Sequence, residues 1–118
     1  MEKKCVLIYD DDIETLNVCR AILGSYRVEA LTTCENIIAD IEELKPELLL
    51  MDLWIPKIGG ENAINLMHEN EKTKHIPVIV FSANNNIREI SERVKANAVL
   101  EKPFNIKCFR KMIEKNIL

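Results

Sequence analysis

The sequence has no basic excess, no paired-cysteine motif and no long hydrophobic run, and each absence removes a class of function. Lys and Arg number 16 against 19 Asp and Glu, for a formal net charge of -3 and an isoelectric point near 5.4. The longest basic runs are the pairs Lys3-Lys4 and Arg110-Lys111. A nucleic-acid binder carries a basic stripe or patch, so direct nucleic-acid binding is not expected. Cys5, Cys19, Cys34 and Cys108 form no C-x-x-C pair, and the histidine spacings build no zinc site. All four are expected to be buried free thiols, which suits a reducing cytoplasm. The charged start, Met1 to Lys4, leads into an apolar stretch of only five residues. That is too short for a signal peptide or a membrane span. Internal repeats, linkers and low-complexity segments are also missing.

What is present is a normal globular balance, 47% hydrophobic and 30% charged residues in a chain of 118. That length fits one domain, residues 1–118, with a core that needs no metal or disulfide staple. Short apolar runs alternate with helical patterns. Cys5 to Tyr9, Leu48 to Met51 and Pro77 to Phe81 are continuous and apolar, as buried parallel strands are. Val28 to Leu31 and Ala98 to Leu100 are weaker candidates. Asp12 can cap a helix that starts at Ile13, with Leu16, Cys19 and Leu23 on one face. A second stripe, Thr15, Val18 and Ile22, lies about 100° away. Further helices are predicted over Ile37 to Leu44, Glu61 to Asn70, Asn86 to Lys95, and from Ile106 to the end of the chain. The order is βαβαβαβαβα, an α/β fold with a five-stranded parallel sheet and helices on both faces. The flavodoxin-like strand order 2-1-3-4-5 is expected.

In such a sheet, functional groups gather at the carboxyl ends of the strands. The first predicted strand ends in Asp10-Asp11-Asp12, the third in Asp52, the fourth in Ser82 and the fifth in Lys102. Converging carboxylates repel one another, and a hard cation removes the conflict. Magnesium fits best, since it uses one or two carboxylates and keeps waters or phosphate oxygens; manganese is an alternative. Lys102 supplies a positive charge and Ser82 a hydroxyl donor for a phosphoryl group. Asp52 is then a carboxylate nucleophile. Taken singly, an Asp at a strand end is commonly structural, Asp12 reads as a helix cap, and a lone lysine is commonly solvated. Their joint placement at the strand ends carries the inference.

These segments resemble the motifs of the response-regulator receiver domain. Leu7 to Asp12 is similar to its acidic first-strand motif, and Met51 to Gly60 to its phosphoacceptor motif, with Pro56, Gly59 and Gly60 at the expected offsets. Val80-Phe81-Ser82-Ala83 is similar to its hydroxyl motif, and Glu101-Lys102-Pro103-Phe104 to its K-P-F motif. The match runs along the whole chain. It implies a phosphoacceptor in two-component or phosphorelay signalling, whose partner is a histidine kinase or histidine phosphotransfer protein. Such a domain is not an enzyme in the metabolic sense, though it catalyses its own phosphorylation. Asp52 would take the phosphoryl group and shift the domain's conformation to alter partner binding. Asp11, Asp52 and the Trp54 carbonyl would bind magnesium directly, and Asp10 often through water. Asp52, Ser82 and Lys102 would carry the chemistry, and the Lys102-Pro103 bond would be cis. Neither the downstream effector nor the oligomeric state follows from the resemblance.

Four positions depart from the family's pattern. Val99 stands where the aromatic switch residue is common, Lys95 where many members have Gly, and Asn97-Ala98 where an acidic pair is common. Trp54 near the site's mouth and the uncharged Asn84 imply slow hydrolysis of an acyl phosphate. A haloacid-dehalogenase-type phosphatase would match Asp10 and Asp12 in D-x-D-x-[TV], but Glu14 stands where Thr or Val belongs. A degenerate receiver that only binds partners would lack an acidic residue, the acceptor or the lysine. A flavodoxin's phosphate loop would not tolerate three carboxylates.

Overall fold

Four of the five strands are apolar at nearly every position because the sheet is covered on both sides. A computed structural model describes residues 3–55, 57–83 and 86–118. The elements run β1 (Cys5–Tyr9), α1 (Ile13–Ile22), β2 (Arg27–Leu31), α2 (Ile37–Leu44), β3 (Leu48–Met51), α3 (Gly59–Glu69), β4 (Val78–Ser82), α4 (Ile87–Arg93), β5 (Ala98–Glu101) and α5 (Ile106–Asn116). All pairings are parallel, in the order β2-β1-β3-β4-β5. The fold class and strand order expected from the sequence are those observed.

Alternation along each strand divides the core in two. Leu7, Tyr9, Leu49, Met51, Val78 and Val80 face α2, α3 and α4. Val6, Ile8, Leu48, Leu50, Ile79 and Phe81 face α1 and α5, where they meet Leu16, Cys19, Phe109 and Ile113. The outer strands β2 and β5 are only half-buried. Among the described residues, no helix is long and apolar enough to cross a membrane.

Several boundaries differ from expectation. β4 starts after Pro77, which lacks the N–H a ladder needs, although its carbonyl accepts from Leu49 N–H at 2.9 Å. The same strand continues to Ser82 because Ser82 pairs with Glu101. α3 begins two residues early, at Gly59. α4 is shorter than Asn86 to Lys95 and ends at Arg93. Cys108 is exposed, unlike the other three cysteines. It neighbours Phe109 on α5, and one residue is about 100° of helix, enough to leave the face that Phe109 and Ile113 bury. Burial pushes the Cys19 and Cys34 thiols up to about 11, so both stay protonated at neutral pH.

Lys95 has φ 60°, in the left-handed region. A Cβ there costs roughly 1–2 kcal/mol, while glycine's extra chain entropy costs about 0.5–1 kcal/mol. Lys95→Gly is therefore expected to stabilise the fold by about 0.5–1 kcal/mol. An upward shift of the urea midpoint checks this; a downward shift contradicts it.

Candidate phosphoacceptor site

The strand ladder itself brings the polar residues together. Just past the end of β1, Asp10 N–H donates to the Leu31 carbonyl at 3.1 Å. Past β3, Asp52 N–H donates to the Tyr9 carbonyl at 3.0 Å, and past β5, Lys102 N–H donates to the Ser82 carbonyl at 3.0 Å. Each of these three residues thus extends the sheet by one hydrogen bond. Its backbone is fixed by the sheet rather than by a loop.

Asp10 is fully buried, Asp52 and Ser82 nearly so, and Asp11 is exposed. Carboxylate oxygens of Asp10, Asp11 and Asp52 lie within 4.8 Å of one another. Lys102 Nζ donates to Asp10 Oδ2 at 2.7 Å and stands 3.5 Å from Asp52 Oδ2. Trp54 N–H donates to Asp52 Oδ1 at 3.3 Å, and Asp12 N–H to Asp10 Oδ1 at 2.9 Å. The Lys102-Pro103 bond is cis. Asp12 caps α1: its carboxylate accepts from Glu14 N–H and the Thr15 hydroxyl. That Thr15 hydrogen bond holds its pKa below the usual carboxylate range.

Burial pushes the Asp52 carboxyl up; Lys102 pulls it down and Asp10 pushes it up again, for a net rise. For Lys102, burial works against the charge, but its hydrogen bond to Asp10 and the charges of Asp52 and Asp10 outweigh it. The ammonium is held above its ordinary range. One ammonium does not neutralise three carboxylates; the rise at Asp52 comes first from its burial, with repulsion by Asp10 adding to it. An all-oxygen donor set of this kind fits a hard divalent cation.

The carboxylates, Ser82 and Lys102 thus meet at one edge of the sheet. Trp54 contributes a backbone N–H to Asp52, while its side chain is 66% exposed and lies with Leu53, Glu61 and Ile90. Pro56 and Asn84 lie outside the described residues. The structure adds a role for two residues that the sequence alone does not explain. Phe81 reads as one more strand residue, yet its ring lies under Lys102 Nζ, 4.6 Å from the ring centroid. Gly60 reads as a motif glycine, and the structure supplies the reason for it: its Cα faces the Asp52 carbonyl with no room for a side chain. Val99 packs against the α2–α3–α4 side of the core. Asn97 is tied to β4: its side-chain oxygen accepts from Val78 N–H at 2.9 Å.

Known proteins share this fold. The chain is 27% identical over 116 residues to the polar-differentiation response regulator DivK of Brucella ovis, covering 94% of each chain. A CheY-like response regulator receiver domain protein from Methanospirillum hungatei superposes with a TM-score of 0.86 at 25% identity, over 97% of this chain and 93% of that one. The receiver domain of a Pseudomonas aeruginosa sensor histidine kinase, solved with a magnesium ion coordinated in its active-site cleft, gives a TM-score of 0.88 at 24% identity, over 97% of both chains. The family model of the response regulator receiver domain matches residues 6–114, from β1 into α5; the chain belongs to that family and is a signalling domain, not a metabolic enzyme.

Proposed function

We propose that residues 1–118 act as one cytoplasmic receiver domain that takes a phosphoryl group onto Asp52 from a histidine kinase or histidine phosphotransfer protein. The observation that supports this most is the buried Asp52 carboxylate, set among Asp10, Asp11 and Lys102 at the carboxyl edge of the sheet. A carboxylate oxygen of Asp52 attacks the phosphorus of the phosphohistidine. The new P–O bond forms as the P–N bond breaks, and the imidazole leaves with the bonding pair. Lys102 supplies positive charge to the phosphoryl oxygens, and the Ser82 hydroxyl a hydrogen bond. Asp11, Asp52 and the Trp54 carbonyl, with Asp10 behind them, would hold magnesium, or manganese in its place. When bound, the ion neutralises charge on the carboxylates and on the transferring group.

Removing the metal is expected to slow labelling by a small acyl phosphate donor by at least about 100-fold, the several kcal/mol such ions contribute. Trp54 is the single tryptophan, so its fluorescence follows the same titration. Equal labelling rates in chelator and in magnesium would overturn the metal assignment.

The donor would dock beside α1. Leu16, Cys19 and Leu23 are buried as expected, and the second stripe divides. Ile22 packs against the core, while Val18 is 50% exposed beside Thr15, Lys102 and Phe104. The exposed Val18, with the half-buried Phe104 beside it, offers an apolar spot next to Lys102 for a helical partner. Val18→Asp is expected to cut transfer from a phosphohistidine donor at least about tenfold, a loss of roughly 1.4 kcal/mol. Labelling by a small donor and the melting temperature should hold. Equal loss in both reactions would contradict docking at this face.

A further inference from the structure

The chain has only three phenylalanines, and all three belong to the core on the α1–α5 side of the sheet. Phe81 and Phe109 are fully buried in that cluster, and Phe104 packs against it. The Phe104 and Phe109 rings are tilted against each other with centroids 4.8 Å apart. Phe81 is the member that reaches the functional site. It precedes Ser82 on β4, and the Lys102 ammonium stands over its ring at 4.6 Å. That distance is inside the roughly 6 Å range where an aromatic face attracts a cation. The Lys102 side chain is 21% exposed, so water screens this attraction only in part.

The ring differs in kind from the other groups that hold Lys102. Asp10 and Asp52 bind it through charge, and both carboxylates would be shared with a cation or altered by phosphorylation. A benzene ring neither titrates nor ligates a hard metal. It keeps the same attraction for the ammonium whatever happens to the carboxylates. A leucine in its place would fill much of the same space without that attraction.

We infer that Phe81 is a positioning residue, whose ring face holds the Lys102 ammonium at the acceptor site while its carboxylate partners are engaged elsewhere. This rests on the phosphoacceptor role of Asp52. The ring does not touch the phosphoryl group; it fixes where Lys102 meets it. At a partly desolvated site such an attraction is worth about 1 kcal/mol, or about fivefold in rate.

The test uses three forms of the chain: the parent, Phe81→Leu, and one with 3,4,5-trifluorophenylalanine at position 81. The fluorinated ring keeps the shape and loses most of the negative charge on its face. With a small acyl phosphate donor and saturating magnesium, both altered forms are expected to label about fivefold more slowly than the parent. Magnesium affinity from Trp54 fluorescence should stay unchanged. In a Lys102→Met background, the same changes at position 81 should have no further effect, so the whole loss appears as coupling between the two residues. In the metal-free protein, the Lys102 ε-methylene protons should be shifted upfield by the ring current, and the shift should vanish in Phe81→Leu. If the fluorinated form labels at the parent rate, or the loss persists in Lys102→Met, Phe81 is core packing and the inference fails. If the parent itself is not labelled on Asp52, the phosphoacceptor reading fails instead.

Discussion

Gly60→Ala is expected to lower stability by about 3 kcal/mol, a fall in Tm of roughly 10–15 °C. A Cβ on Gly60 would stand 2.2 Å from the Asp52 carbonyl oxygen, 3.0 Å from Leu53 Cα and 3.0 Å from Met51 Cγ. Two of these three atoms are backbone, so no rotamer change relieves the clash. Either the first turn of α3 moves away from the sheet or the Asp52 segment moves with it. Asp52 is held from the other side by the Tyr9 carbonyl, so its displacement strains the acceptor as well as the fold. The other two glycines give the comparison. At Gly59 a Cβ meets nothing within 4 Å, but φ is +76°, and alanine there should cost about 1 kcal/mol. At Gly24 the nearest atom is 3.9 Å away, and alanine should change stability by less than about 0.5 kcal/mol. Thermal melts of the three variants check the order. A Gly60→Ala chain as stable as the Gly24→Ala chain would contradict the close approach.

Asp52→Asn is expected to abolish phosphorylation while making the metal-free chain more stable at neutral pH. An amide is a poor nucleophile, so the first effect is all-or-none. The second follows from the raised pKa of Asp52. Its carboxyl holds a proton more tightly folded than unfolded. Asp52 therefore favours folding below its unfolded pKa, and that contribution is lost as pH rises through the folded pKa. Above that range the ionised group is a burden on the fold. Asn cannot ionise, so the variant should lack this pH dependence. Lys102 keeps its closer partner, Asp10, at 2.7 Å. Denaturation midpoints across the acid-to-neutral range check this; a metal-free variant less stable than the parent at neutral pH would contradict it.

The strands were legible because parallel strands buried on both faces read as unbroken apolar runs, as Cys5 to Tyr9 and Leu48 to Met51 do. Strand ends were less so, since Pro77 reads as apolar but cannot donate, and Ser82 reads as polar but is paired to Glu101. The start of α3 was missed because glycine is a poor helix former; here Gly60 is what lets the helix approach Asp52. The carboxylates could be gathered from the sequence because the strand order brings their strand ends side by side. The pairing among them could not. Lys102 Nζ lies 2.7 Å from Asp10 and 3.5 Å from Asp52, and no residue pattern encodes that difference. Phe81 was invisible for the same reason: a phenylalanine in a buried strand shows nothing of what stands over its ring.

The most direct test of the central claim is the intact mass of the chain after incubation with magnesium and a small acyl phosphate donor. The account predicts the mass of one added phosphoryl group on the parent chain and none on Asp52→Asn. Equal labelling of the two would contradict it.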